Sequence, residues 1–219
     1  MSYTCSKEIC LVAENHRLEK LWKYEEEVFS SGYELIGGID EVGRGPLAGP
    51  VVAAVAILPR DAKIPGINDS KKLSPLQRER LCKTISKTII DWGIGIVDEQ
   101  IIDEINILQA TYLAMKKAIK SLKSKPHFLL VDGLKIPHLD IPQKPIIKGD
   151  QLSISIAAAS ILAKVIRDRM MIEYDNEFPH YGFAKHKGYG TDLHIEAIKK
   201  YGVCKIHRRS FEPIKSMCR

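Results

Sequence analysis

Residues 36–50 read I-G-G-I-D-E-V-G-R-G-P-L-A-G-P, an apolar lead-in cut by an acidic pair and then by a run of glycine and proline. The span Leu35 to Asp40 predicts a short buried strand that ends at Asp40 and Glu41. Gly43, Gly45, Pro46, Gly49 and Pro50 then forbid any simple continuation of strand or helix. A backbone without Cβ can approach a ligand closely and takes positive φ at little cost. Arg44 adds a fixed positive charge between two of the glycines. Acids at a strand end, followed by free amides and a guanidinium, can hold a cation and a phosphate together, a nuclease-like combination. The same residues also suit a tight hairpin with solvated acids at its mouth. A dinucleotide fingerprint fits poorly, because the spacing is G-x-G-x-x-x-G and the following V-V-A-A-V-A-I-L (51–58) is short and β-branched where a Rossmann unit needs a helix.

Outward from that stretch, 219 residues suffice for one sizeable core with a small helical appendage. No apolar run approaches the ~18 residues of a membrane span. Residues 1–14 lack the basic start and long apolar centre of a signal peptide, so a cytoplasmic protein is expected, with no membrane partner. Five cysteines, odd in number and without a C-x-x-C pair, suggest neither a disulfide framework nor a zinc site. The net charge of +6 is concentrated at the end of the chain: residues 199–219 hold seven Lys or Arg against Glu212 alone, so the preceding residues balance to zero. With Tyr201 and Phe211 among them, these basic residues suit a polyanion, although a solvated tail has the same composition.

In chain order, residues 1–14 show no clear period, and His16–Phe29 fits an amphipathic helix. Strands are expected at 35–40 and 51–58, a loop carrying D-S-K-K-L at 69–73, and a helix from Pro75 to about Ile90 behind Ser74 as N-cap. A strand at 92–97, a helix at 107–123, a strand at 127–131 and a short strand at Ile146–Ile147 follow. The long apolar helix at 153–178 can lie close against a sheet, and Thr191 caps a last helix at 192–201. Strands alternating with helices, with the first two too closely linked to be parallel, predict an α/β fold: a mixed sheet with helices on both sides.

Three strand or turn ends carry an acid next to a glycine: Asp40 and Glu41, Asp132 before Gly133, and Asp150 after Gly149. Two unit charges ~4 Å apart repel by about 4 kcal/mol at an effective dielectric near 20, so four converging carboxylates call for a cation. An all-oxygen set favours Mg²⁺ or Mn²⁺ over Zn²⁺. Adjacent strand residues point to opposite faces, so Asp40 and Glu41 can share a metal only if the strand ends or twists between them. Asp150 also reads as a plain helix-start acid. Ser160 and Lys164 read as packing and surface of the long helix, with Lys164 also long enough to reach the site, and the histidines show no metal spacing.

The segments G-I-D-E-V-G-R-G-P-L-A-G-P (38–50), D-S-K-K-L (69–73), V-D-G (131–133), G-D (149–150), S-I-A-A-A-S-I-L-A-K-V-I-R-D (155–168), H-K-G-Y-G-T (186–191) and H-R-R-S-F (207–211) resemble, in order and spacing, the bacterial type 2 ribonuclease H family. The resemblance implies a ribonuclease H-like sheet at 35–190, behind an N-terminal extension with a helix at 1–34 and ahead of a basic helical segment at 191–219. It implies that Asp40, Glu41, Asp132 and Asp150 bind two Mn²⁺ or Mg²⁺ ions, one activating water and the other stabilising the leaving 3′-oxygen. Gly43, Arg44 and Gly45 correspond to the family element that tests for a ribose 2′-hydroxyl, and Tyr189 to a tyrosine that stacks on the next sugar. Lys71 and Lys72 are candidate phosphate contacts, and a solvated loop fits the two lysines equally well. The implied substrates are RNA–DNA hybrids and duplex DNA containing ribonucleotides, cut on the 5′ side of the ribonucleotide by a protein expected as a monomer. A ribonuclease HIII or type 1 enzyme is one alternative, although 34 leading residues are few for the extra domain of the former. A catalytically silent nucleic-acid-binding module is the other, and its expected mark would be a lost acid.

Overall fold

Every side chain of Val51–Ile57 is buried, which a strand achieves only inside a sheet covered on both faces. In the computed structural model, which describes the backbone of residues 2–217 and the side chains of residues 12–217, this strand lies second in a sheet of five. Met1, and Cys218 and Arg219 of the basic segment, lie outside the described residues. The elements run α1 (Ser2–Leu21), α2 (Lys23–Ser30), β1 (Ile36–Val42), β2 (Val51–Ile57), α3 (Pro75–Thr88), β3 (Asp91–Val97), α4 (Glu99–Lys120), β4 (Phe128–Asp132), β5 (Gln143–Ile146), α5 (Ile154–Glu177), α6 (Phe183–His186), α7 (Asp192–Tyr201) and α8 (Ile214–Met217). The sheet order is β3-β2-β1-β4-β5, with antiparallel pairs β1–β2 and β2–β3 and parallel pairs β1–β4 and β4–β5. This is the mixed sheet that the sequence predicts.

Alternation along β2 divides the core in two. Val51, Ala53 and Val55 pack with Ile39, Leu129 and Val131 against Ala110, Ala114 and Ala118 of α4. Val52, Ala54 and Ala56 face Ala158, Ile161 and Leu162 of α5. Each Val, Leu or Ile buried in these layers contributes about 1.5–3 kcal/mol. The start of α5 lies directly on β1, where a Cβ on Gly38 would stand 2.1 Å from the carbonyl carbon of Ser155, so only glycine admits that approach. A third cluster joins Leu47 and Ala48 to Met171, Phe183, Ala197, Ile198, Ile206 and Ile214, so the C-terminal residues share a core with the glycine-rich stretch.

Several boundaries differ from the sequence expectation. β1 does not stop at the acidic pair: Asp40 and Glu41 pair with Ala54 and Ala53, and the strand runs on to Val42. β5 covers Gln143–Ile146 in place of Ile146–Ile147, because it pairs with Leu129–Asp132, and Pro145 is tolerated on an edge strand. Residues 2–15 are helical, and the helix expected over His16–Phe29 is broken at Trp22, whose buried indole donates to the Ala62 carbonyl at 3.2 Å. A helical segment before residue 107 escaped the periodicity. It starts behind Asp98, whose side chain accepts from the Ile101 amide, and ends at Asn106 (φ 68°, ψ 164°). The Asn106 side chain then accepts from the Leu108 and Gln109 amides and caps the longer segment.

On the outer edge of β3, the Ile94 amide donates to Ser121 Oγ at 3.0 Å and the Ile96 carbonyl accepts from Lys117 Nζ at 3.1 Å. Cys82 and Cys204 are free thiols. Among the described residues no helix is long and apolar enough to cross a membrane.

Candidate active site

Parallel pairing sets Ile39 opposite Val131, so the residues that follow, Asp40 and Asp132, leave the carboxyl ends of neighbouring strands side by side. In open α/β sheets ligands gather at this end. Asp132 Oδ1 accepts from the Gly149 amide at 2.6 Å, which ties the 3-10 turn Gly149–Gln151, and with it the buried Asp150, to β4. The structure thus brings Asp40, Glu41, Asp132 and Asp150 to one sheet end. Glu41 belongs to the set although β1 continues past it, because Asp132 acts on both its carboxylate and that of Asp40.

The electrostatics follow from this crowding. Burial holds the Asp40 carboxyl well above the usual carboxylate range, and the charges of Glu41 and Asp132 push it the same way. Burial raises Glu41 too; Arg44 pulls it back, and Asp132 adds to the rise. Asp150 is pushed up to about 6 by burial, then by Asp69 and Asp132, with Lys71 opposing. Asp40, Glu41 and Asp150, raised first by burial and then by neighbouring acids, are relieved by a cation, and an oxygen-only donor set suits a hard divalent ion. The residues present therefore fit such an ion. Among the described residues no three His, Cys, Asp or Glu side chains stand close enough together to hold an ion as they are.

Two participants escaped sequence reading. Ser160, assigned to packing, is buried near Asp40, where its hydroxyl works against the rise in the Asp40 pKa, and it lies 2.9 Å from Ser70 Oγ. Asp69 is buried against Asp150 and accepts from the Lys71 amide at 2.8 Å and from Gln151 Nε2 at 3.3 Å. The acid opening D-S-K-K-L was visible, but no apolar run preceded it to mark a strand end. Lys71 Nζ lies 3.9 Å from Asp150 Oδ2, whereas Lys72 is exposed and makes no hydrogen bond or ion pair to the acids. Lys164 turns to Asp168 at 2.7 Å.

The turn beside the acids is held from beneath. Gly43 has φ 92°, and a Cβ there would lie 2.2 Å from Arg167 Nε. Arg167 and Arg208 are fully buried and, among the described residues, have no carboxylate partner. Arg167 donates to the carbonyls of Pro50, Ala48 and Lys187 at 3.0–3.2 Å. Arg208 donates to those of Gly43, Arg44 and Gly49 at 2.6–3.0 Å. Burial lowers their pKa values to about 10 and about 9. Arg208 is thus an internal clamp and not part of the basic surface that the charge run suggests. Arg44 itself is half exposed, with Nη1 3.4 Å from Glu41 Oε1. Tyr189, 44% exposed, lies against the turn: a Cβ on Gly45 would stand 3.7 Å from its ring.

The ribonuclease HII sequence profile matches residues 37–214. Ribonuclease HII of Clostridioides difficile (strain 630) is 60% identical over 198 residues, covering 90% of this chain and 78% of the relative. Ribonuclease HII of Caldanaerobacter subterraneus subsp. tengcongensis is 58% identical over 208 residues, covering 95% and 86%. The crystal structure of the ribonuclease H2 from Pyrococcus horikoshii OT3 superposes with a TM-score of 0.69 at 30% identity, over 84% of this chain and 96% of that one. Fold and relatives together define a metal-dependent ribonuclease of the ribonuclease H class. Within that class the chain belongs to the ribonuclease HII family, whose activity is endoribonucleolytic on RNA–DNA hybrids.

Proposed function

We propose that this protein cuts on the 5′ side of ribonucleotides, both in the RNA strand of hybrids and embedded in duplex DNA, and leaves 3′-hydroxyl and 5′-phosphate ends. Asp40, Glu41, Asp132 and Asp150 would hold two Mn²⁺ or Mg²⁺ ions. The observation that carries this reading is the arrival, at one sheet end, of four carboxylates from three stretches of chain beside a clamped glycine turn. Bound there, divalent ions supply Lewis acidity for water activation and for the departing oxygen. The chain's own contribution is position. The Glu41 amide, 2.7 Å from Asp40 Oδ1, orients Asp40, the Gly149 amide orients Asp132, and Lys71 stands where a phosphate beside Asp150 meets a positive charge.

Telling a ribonucleotide from a deoxyribonucleotide needs a group that tests for the 2′-hydroxyl, and rigid main-chain atoms do so with little entropic loss. Gly43, Arg44 and Gly45 are assigned that role, because Arg167 and Arg208 fix the carbonyls around them. Tyr189 offers an exposed ring face next to Gly45 for the sugar of the following nucleotide.

The test is cleavage of a duplex with one embedded ribonucleotide, beside an all-DNA control, in Mn²⁺, in Mg²⁺ and in EDTA. Cutting on the 5′ side of the ribonucleotide only with metal, lost in Asp132→Asn, is the expected result. Cleavage that persists in EDTA, or equal cutting of the all-DNA duplex, would overturn the reading.

A further inference from the structure

Three buried histidines lie beneath Tyr189. His194 and His207 are 0% and 2% exposed, His186 is 9% exposed, and the rings of His186 and His194 stack at 4.4 Å. Their hydrogen bonds have a readable direction. The Cys204 amide can only donate, and it points at His207 Nδ1 at 2.8 Å, closer than the Cys204 carbonyl at 3.4 Å. His207 Nδ1 is therefore the acceptor, and its proton sits on Nε2. That nitrogen is 3.0 Å from His194 Nε2, which accepts in turn. His194 then carries its proton on Nδ1, 2.9 Å from the Tyr189 carbonyl. By the same logic the Gly188 amide donates to His186 Nδ1 at 3.2 Å, and His186 Nε2 donates to the Tyr181 carbonyl at 2.7 Å.

We propose that His194 is a positioning residue for Tyr189, the last member of a relay Cys204 N–H to His207 to His194 to the Tyr189 carbonyl that holds the tyrosine beside the glycine turn. Each imidazole in the relay must be neutral, since a second proton on His194 or His207 would set two N–H groups against each other. Burial lowers both rings to about 4, which keeps them neutral near pH 7. The relay also meets the turn from its other side. Ala48 bridges to His207, the Leu47 amide donates to the Gly188 carbonyl, and the Gly49 amide donates to the Ile206 carbonyl. The turn that would feel the ribose and the ring that would stack on the next sugar thus share one support. The inference rests on the sugar-stacking role given to Tyr189 above.

Two measurements test it. Imidazole ¹⁵N NMR of the full chain near neutral pH is expected to place the proton on Nδ1 of His194 and on Nε2 of His207. The opposite tautomer of His194, or a charged ring, would overturn the relay. Kinetics on the single-ribonucleotide duplex with Mn²⁺ test the positioning. His194→Leu is expected to lower kcat about tenfold with KM little changed, and His194→Asn, whose amide can still donate to the carbonyl, to recover most of it. In a Tyr189→Ala background His194→Leu is expected to cost less than about twofold more. An equal loss in both backgrounds would mean a purely structural role and end the proposal. If Tyr189→Ala leaves kinetics unchanged, the stacking role falls and the positioning role falls with it, while the tautomers read by NMR stand apart from that failure.

Discussion

At the scale of single residues, the Lys71 ammonium is held above its ordinary pKa. Partial burial works against the charge, but Asp150, Asp40, Asp69 and Asp132 outweigh it. A side chain so placed is expected to matter for a phosphate at the same spot, whereas its neighbour Lys72, exposed like Lys71, has no acid of the site within ion-pair distance. Lys71→Ala should lower kcat/KM by about tenfold and Lys72→Ala by less than about twofold, measured on one substrate at one salt concentration. Equal effects would remove Lys71 from the site. Gly43 supports a second expectation. With φ at 92° and Arg167 where a Cβ would stand, Gly43→Ala should lose at least about 1–3 kcal/mol, read as a fall in the urea midpoint.

Among the elements, α5 backs the acids and the glycine turn with Ser160 and Arg167, and α2 holds its beginning. The Glu25 carboxylate, wholly buried, accepts from Ser153 Oγ at 2.6 Å and from the Ser155 amide at 2.9 Å, supplying partners at the helix start. Its other oxygen has no partner among the described residues, and burial raises its pKa. Glu25→Ala should leave buried donors unpaired three to five residues after Asp150 and cost about 1–3 kcal/mol by urea unfolding. A midpoint equal to that of the unaltered protein would show that the N-terminal helices merely rest on the surface. Nothing in the sequence marked Glu25, since E-E-E at 25–27 reads as a solvated helix face. The strands and the long helix were legible because period and length speak directly: V-V-A-A-V-A-I has one meaning in a sheet. The capped start of α3 was legible for the same local reason, with Ser74 and Gln77 completing a reciprocal box. What stayed hidden was decided by distant parts of the chain. Arg208 sits in a basic run yet is buried by Gly43 and Gly49, more than 150 positions earlier. Ser160 gains its meaning only when α5 is laid across β1.

For the molecule as a whole, the acid cluster couples stability to pH and to metal. Asp150 has a folded value of about 6 against an ordinary 3.8, so the folded state binds that proton more tightly than the unfolded chain does. Its contribution to metal-free stability is therefore full below about 3.8, declines as pH rises toward 6, and is gone above. Asp40 and Glu41 are shifted in the same direction. A divalent ion relieves the repulsion only where the acids are ionised, so the rise in Tm on adding Mn²⁺ should be larger near pH 8 than near pH 5. A gain that is independent of pH would show that the ion binds elsewhere.

The edge of β3 bears on behaviour at high concentration. Exposed strand edges are templates on which other chains can add. Here Ser121 and Lys117, both at the C-terminal end of α4, occupy the Ile94 amide and the Ile96 carbonyl that an incoming strand would need. Trp92 and Ile96 leave apolar surface beside that edge, so the blocked groups sit where adhesion would otherwise be easiest. A stored solution of the Lys117→Ala, Ser121→Ala pair should scatter light and bind thioflavin sooner than the parent protein, even while its catalytic end is untouched.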